Sequence, residues 1–326
     1  MAHGPEQGEP GTHATQHSTV DAPNTAPMSQ VSSVYGDALQ DSRGHGCTCS
    51  PGEPCTCGAS APQKALSFGT IDIGFRTAAE RDSLAYHMGG DPHDLPKFLQ
   101  YLDAHPWDAA SIQWILKSEA IPIYVILPVG PFARDAYQRL REFLSEQLTS
   151  KAERVAIAGY VTGSTQLMTG QIVPFLIPEQ RCMYNWNTEA LIEAVCGERD
   201  ESPKKSDRDN FEKKVQAVRN FLARMFGELR GAGTEPADRA RIAATINAAN
   251  TRAVFEDALK EDLQLDMIDA MPSPLGRDYW DVRMVFFDPR RQFERARREY
   301  RFSFDLSQAC PVPIGVVRSW DVSSMR

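Results

Sequence analysis

The chain has 326 residues, 42% hydrophobic and 24% charged, with a net charge of -8. That length suits one large domain or two ordinary ones with a tail, and the composition is that of a soluble globular protein. The acidic balance excludes a general nucleic-acid binder, whose contact face needs a cationic excess. The opening MAHGPEQGEPGTH has no basic segment followed by an apolar one, so it does not read as a secretory signal. No apolar run approaches the roughly 18 residues of a membrane span. These features predict a cytoplasmic protein whose seven cysteines stay reduced unless they bind metal or do chemistry.

Residues 1–65 are dominated by Gly, Pro, Ser, Thr, Gln and Ala. Such a segment buries too little apolar surface to offset its ordering entropy, which predicts a disordered tail. A globular domain is expected over 66–326, with an internal boundary candidate at 198–210. Leu66 to Gly74 alternates like a short strand. Thr77 and Glu80 have the spacing of a capping box for a helix over 78–88, which Gly89-Gly90 ends. A second helix is expected over 94–104. A third is expected after Asp108, with Ile112, Ile115 and Leu116 on one face and Trp114 near it.

The run Ile121-Pro-Ile-Tyr-Val-Ile-Leu-Pro-Val-Gly-Pro-Phe132 is the densest apolar stretch. Ile123 to Leu127 has the composition of a buried strand, with Ile123, Val125 and Leu127 expected to line a core. Pro128 to Pro131 reads as a rigid exit. An amphipathic helix follows over 133–148, burying Ala136, Leu140, Phe143 and Leu144. Strands are expected over 154–162 and 167–177, with a turn at Gly163-Ser164. Thr188 to Cys196 reads as a short helix stopped by Gly197. The charged loop ERDESPKKSDRD over 198–209 precedes the cleanest helix, 211–230. Gly231-Ala-Gly233 ends it, and an Ala-rich helix runs from Thr234-Glu-Pro236 to about Leu259. Three alternating strands close the chain, around 280–286, 300–306 and 314–322. Grouped strands and helices predict an α+β fold, with helices packed on antiparallel sheets.

No GxSxG, HExxH, GxxxxGK[ST] or GxGxxG motif occurs. All seven histidines lie at or before His105, so a Ser-His-Asp site would have to recruit His87, His93 or His105. His87, Asp91, His93 and Asp94 group ligand-type side chains, but their spacing matches no defined metal pattern and suits a polar loop. Cys47, Cys49, Cys55 and Cys57, with His45 upstream, place four thiols within eleven residues. Thiolates in this number are a donor set for zinc or copper. They also suit redox chemistry, and Cys, Thr and Ser are the residues that heterocyclise in modified peptides. A plain Cys-bearing linker is the remaining reading. Cys196 and Cys310 read as small buried hydrophobes, and Cys182 precedes an aromatic, amide-rich loop, Met183-Tyr-Asn-Trp186. Arg290, Arg291, Arg295, Arg297 and Arg298 crowd one connection, diluted by Asp288, Glu294 and Glu299.

Several spaced segments resemble a known family. They are Thr70-Ile-Asp-Ile-Gly-Phe75 with Arg81-Asp-Ser83, the stretch Pro122 to Phe132, and Leu167-Met-Thr-Gly-Gln-Ile-Val-Pro174. Met183 to Leu191, Asp278 to Pro289 and Val317-Arg-Ser-Trp-Asp-Val322 continue the series. Together they resemble the C-terminal domain of unknown function of the PatG-type cyanobactin maturation proteases, found also on their PatA-type partners. The resemblance implies a role in maturing ribosomally made peptides. The family's proteolysis belongs to a separate subtilisin-like domain, and this chain carries no such catalytic motif. The expectation is therefore a non-catalytic accessory, scaffold or peptide-binding module. Its expected partners are a precursor peptide or a maturation enzyme, or a second copy in a homodimer, with no nucleic acid and no membrane. The alternative is a thiolate metal-binding or redox protein, or an enzyme, using the CxC pairs.

Overall fold

The computed structural model describes residues 62–197, 205–229, 231–250, 254, 263–291 and 296–323. The disorder expected of the tail concerns residues outside this set, apart from 62–65. β1 spans Gln63–Gly74. Helices α1 (Ala78–Met88) and α2 (Leu95–Ala104) follow, then a 3-10 turn over Pro106–Ser111. β2 (Gln113–Ser118) and β3 (Ile121–Ile126) lead to α3 (Ala133–Leu148), then β4 (Arg154–Gln166) and β5 (Ile172–Trp186). These strands close into a barrel in the order β1-β2-β3-β5-β4. Only β3 and β5 pair in parallel among them. With a helix between the third and fourth strands, this is the order of the OB-fold.

The local signals explain the elements. Thr77 Oγ1 accepts the Glu80 N–H at 3.2 Å, while the Glu80 carboxylate accepts the Arg76 N–H instead of the cap's own. Gly89 takes φ 66 and closes α1. On α3, Ala136, Leu140, Phe143 and Leu144 are the buried residues.

Strand alternation sorts the barrel's side chains into separate cores. Ile71, Ile73, Trp114, Leu116, Tyr124, Ile126, Val155, Ile157 and Leu176 point inward and join Phe98, Leu140 and Phe143 of the helices. Ile115, Val125, Val173 and Phe175 point outward and pack with Leu167 of the β4–β5 turn. Leu66, Phe68, Ala156, Ala158, Cys182 and Trp186 also point outward, into the core shared with the C-terminal half.

That half contains α4 (Thr188–Cys196), α5 (Lys205–Glu228) and α6 (Pro236–Asn250). β6 (Gln264–Pro272), β7 (Tyr279–Phe287), β8 (Arg297–Asp305) and β9 (Val312–Val322) then form an antiparallel sheet in sequence order. Val282, Met284, Phe286, Tyr300, Phe302 and Phe304 cluster with Val218, Leu222 and Ile242 of the helices. Phe221 stacks on Phe286 at 5.7 Å, and Phe226 stacks on Phe68 of the barrel at 5.2 Å. The α+β class, with helices on largely antiparallel sheets, holds.

Several local expectations are corrected. The helix after Asp108 is a 3-10 turn followed by β2. Gln113, Trp114, Ile115 and Leu116 are all buried, so both strand faces carry the apolar content and no period of two shows. Gly163-Ser164 is not a hairpin turn. The register shifts between Thr162 and Ser164, β4 continues to Gln166, and the chain reverses at residues 167–171. Met183 to Trp186 is strand, paired with Arg154 to Ile157. In the central stretch Ile123, Val125 and Leu127 do pack on cores, the first and last half-buried, but Tyr124 and Ile126 are buried as well, on the barrel's inner side. β6 is an additional strand with no clean alternation. The expected loop 198–209 is already helical from Lys205, and the end of the Ala-rich helix beyond Asn250 lies outside the described residues, save Val254. Cys182 and Cys310 are not free thiols: they form a disulfide across 128 residues, with Cα atoms 5.7 Å apart.

The segment 231–233 joins the two halves. The Leu66 N–H donates to Gly233 O at 2.9 Å, and Tyr124 Oη donates to Ala232 O at 2.9 Å. Gly233 has φ +64, and a Cβ there would lie 1.9 Å from Leu66 O. Gly89 shares the left-handed conformation but has open space around it. We expect Gly233→Ala to destabilise the fold well beyond the roughly 1–2 kcal/mol of a left-handed alanine, which is all Gly89→Ala should cost. Urea denaturation of the two variants, read against the parent, checks the contrast.

Burial pushes the Tyr124 and Tyr137 phenols up to about 12. The folded chain thus keeps protons that the unfolded chain, with phenols near 10, gives up. This contribution to stability is fully present below pH 10 and is lost as pH rises towards 12. Urea midpoints between pH 9 and 12 should fall, and less steeply in Tyr124→Phe.

Candidate functional site

β9 is the edge of the second sheet and pairs with β8 alone among the described strands. It spans eleven residues and most of them are exposed, Val316 to 82%. Such an edge presents a row of unpaired backbone donors and acceptors.

The outer sheet face carries a cross-strand charge row. Asp269 lies opposite Arg283, Arg283 opposite Arg301, and Arg301 opposite Arg318. Like charges in register repel, so the row needs carboxylates. Arg283 donates to Asp269 Oδ2 at 2.9 Å. Glu299, 5% exposed, sits between Arg283 at 4.0 Å and Arg301 at 3.8 Å. Arg301 also lies over the Trp320 ring, 4.8 Å from its centroid. Ser303 Oγ donates to Asp281 Oδ1 at 2.7 Å. Arg318 ends the row on the open edge, and its side chain has no ion-pair partner among the described residues. On the other side of the edge is a cleft of about 490 Å³, lined by Phe302, Phe304, Pro313, Val317 and Ser319 with Asn247 and Val254.

The residues singled out in the sequence fall elsewhere. Cys47, Cys49, Cys55 and Cys57 lie outside the described residues, so the zinc or copper reading rests on no described geometry. His87 Nδ1 is 2.7 Å from Ser83 O, and His93 lies edge-on to Phe75. The Asp91 carboxylate accepts the His93 N–H, and Asp94 pairs with Lys97 at 2.7 Å. The four are spent on the loop and helix start. Among the described residues no three His, Cys, Asp or Glu gather in a metal-binding group. His87 and His105 do share a cleft of about 640 Å³ with Tyr101, Trp107 and Asp108. There Tyr101 Oη donates to Asp108 Oδ2 at 2.5 Å, and His105 stacks on Tyr101 at 4.5 Å. Desolvation, then the Asp108 bond, pushes the Tyr101 phenol up to about 12, so it remains a donor and no nucleophile. In the arginine-rich connection, Arg297 bonds Asp266 and Arg298 bonds Asp321. Residues 292–295, including Arg295, lie outside the described set.

Arg318 was not a sequence candidate. Its signal was available only as the alternation of Arg283 and Arg301 with apolar neighbours. Nothing in the chain's order says that these positions stand in one row. In an OB-type barrel the β2–β3 face commonly takes ligand. Here Ile115 and Val125 on that face are covered by the chain's own Leu167, Val173 and Phe175.

The molecule is thus an OB-type barrel fused through a shared core to an antiparallel sheet with an open, arginine-ended edge. The family model described as "PatG Domain" matches residues 65–168, and that described as "PatG C-terminal" matches residues 206–320. A solved structure described as "PatG Domain of Unknown Function" is 30% identical, covering 80% of this chain and 100% of its own, with a TM-score of 0.71. The chain belongs to the PatG domain family. No curated protein matches it. No helix among the described residues is long and apolar enough to cross a membrane.

Removing the buried carboxylate tests the charge row. We expect Glu299→Gln to cost about 1–3 kcal/mol of stability, the range for stranding buried polar partners. The loss should shrink as salt screens the facing arginines. Denaturant titrations at low and high salt measure both effects.

Proposed function

We propose that the chain is a peptide-binding accessory module in the maturation of ribosomally made peptides, and that it takes an extended peptide as an added strand on β9. Family membership supports the pathway. The observation that carries the binding mode is the row Asp269–Arg283–Arg301–Arg318, which runs out at an open edge. An incoming strand places an acidic side chain beside Arg318 and supplies the carboxylate that the row lacks. Its neighbouring side chains point to the opposite side, towards the cleft lined by Phe302, Phe304 and Val317. The peptide chemistry is therefore alternating acidic and apolar, with backbone bonds giving affinity and side chains giving register. A second copy is the less suited occupant. A two-fold pairing centred on this stretch brings Arg318 close to its own counterpart.

Fluorescence polarisation with a labelled ten-residue peptide alternating Glu and Val tests the mode on the full chain. The counterpart with Lys for Glu should bind at least tenfold more weakly, equivalent to about 1.4 kcal/mol. Arg318→Glu should reverse that preference. Methylating alternate peptide nitrogens on the β9-facing side should abolish binding. Equal affinity for both peptides, or indifference to Arg318→Glu, counts against the proposal. So does a concentration-dependent dimer in sedimentation that the peptide fails to dissolve.

A further inference from the structure

The barrel half carries its own cleft, about 640 Å³, between α1 and the 3-10 turn that follows α2. Two aromatic walls meet in it. His105 stacks on Tyr101 at 4.5 Å, and the Trp107 ring stands at 84° to His105, 5.8 Å away. Trp107 is 69% exposed, so its indole is open to a ligand. The corner is held by local bonds. The His105 N–H donates to Tyr101 O at 2.9 Å, the Asp108 N–H to His105 O at 3.1 Å, and Ser111 Oγ to Asp108 O at 2.7 Å. Buried Trp114 anchors the turn, its Nε1 donating to Ala109 O at 2.8 Å.

The polar groups of this cleft are mostly acceptors. Asp108 gives Oδ2 to the Tyr101 hydroxyl, and its Oδ1 has no partner among the described residues. His87 Nδ1 lies 2.7 Å from Ser83 O, and His105 Nδ1 lies 3.2 Å from Tyr101 O. A ring nitrogen facing a carbonyl carries the proton, so Nε2 of each histidine is an acceptor. Glu80 adds a carboxylate, already paired with Arg76 at 2.7 Å. No lysine or arginine is among the described residues of the lining. No three ligand-type side chains among the described residues gather for a metal, so this lining matches an organic cation better.

We propose that the cleft binds the guanidinium of an arginine side chain presented by a partner peptide. Guanidinium has five N–H donors, no acceptor and two flat faces. One face lies on the Trp107 indole, whose π-cloud attracts the charge. Its N–H groups donate to Asp108 Oδ1 and to histidine Nε2. The aliphatic stem packs on Phe75 and Leu84, which line the cleft and are otherwise buried. An ammonium has the charge without the flat face, and citrulline has the shape without the charge. This site does not rest on strand addition at β9: that edge takes acidic side chains, and this cleft takes a basic one.

Titrating the full chain with acetyl-Gly-Arg-Gly-amide, followed by two-dimensional NMR, tests the site. The Trp107 indole N–H signal, identified by its loss in Trp107→Ala, should shift saturably at peptide concentrations up to about ten times a millimolar Kd. The citrulline counterpart should bind at least roughly tenfold more weakly, with the lysine counterpart between the two. Asp108→Asn keeps an acceptor for Tyr101 and should weaken arginine binding about tenfold. Trp107→Ala removes an exposed ring and should weaken it severalfold, read at the Ser111 amide. Citrulline or lysine binding as tightly as arginine, shifts that bypass Trp107, or indifference to both substitutions would overturn the proposal. Should Asp108→Asn fail to fold, Trp107→Ala and the citrulline peptide decide.

Discussion

The fold depends on a close backbone contact between the Gly231–Gly233 segment and β1. The Leu66 N–H donates to Gly233 O, and Gly233's own position leaves no room for a side chain against Leu66. A backbone bond of this kind is worth only about 1 kcal/mol net, yet leaving it unmade at a buried site costs more. Its larger effect is geometric. It sets the start of α6 against the barrel, so Leu66, Phe68 and Trp186 can enter the core of the second sheet. Tyr124 reinforces the same point from the barrel interior. The densest apolar stretch of the chain therefore supplies packing and also a hydroxyl that ties two halves together.

Sharing a core has a consequence for the second sheet. Most of its inner face packs on α5, α6 and the barrel, which leaves the outer face and, beside the β9 edge, the cleft over Phe302 and Phe304. The outer face is charged, with Glu299 buried between Arg283 and Arg301, and Asp281 buried and bonded to Ser303. Charged outer faces discourage indiscriminate edge pairing. The same lattice, ending at Arg318, sets the terms for a selective one. The barrel shows the opposite solution, since the face that OB-type barrels leave open is closed by the chain's own β4–β5 turn.

Much of the helical structure was legible. The caps at Thr77 and Gly89 and the apolar stripe of α3 are local facts, and local facts survive folding. The strands were less legible where both faces are buried. β2 carries Trp114 and Leu116 inward and Ile115 outward, and continuous apolarity resembles a helix face in a short window. The Thr162/Ser164 bulge imitated a turn for a related reason: glycine marks both. The candidate site was the least legible part. The histidine loop and the arginine-rich connection drew notice by density, but their members are paired locally with Lys97, Asp266 and Asp321. Arg318 stands alone in the sequence and becomes the end of a row only through strand register.

By itself the sequence determined the α+β class, the limits of α1, α3 and α4, the amphipathic face of α3 and the family. Each follows from residue spacing within about one element or from motifs kept in order along the chain. Tertiary structure alone decided barrel closure, because the parallel β3–β5 contact joins strands separated by a helix and another strand. It also decided the oxidation of Cys182 and Cys310, 128 residues apart, and the open edge of β9. Contacts between distant segments depend on how whole faces are buried together, and that arrangement has no local signature for a sequence to display.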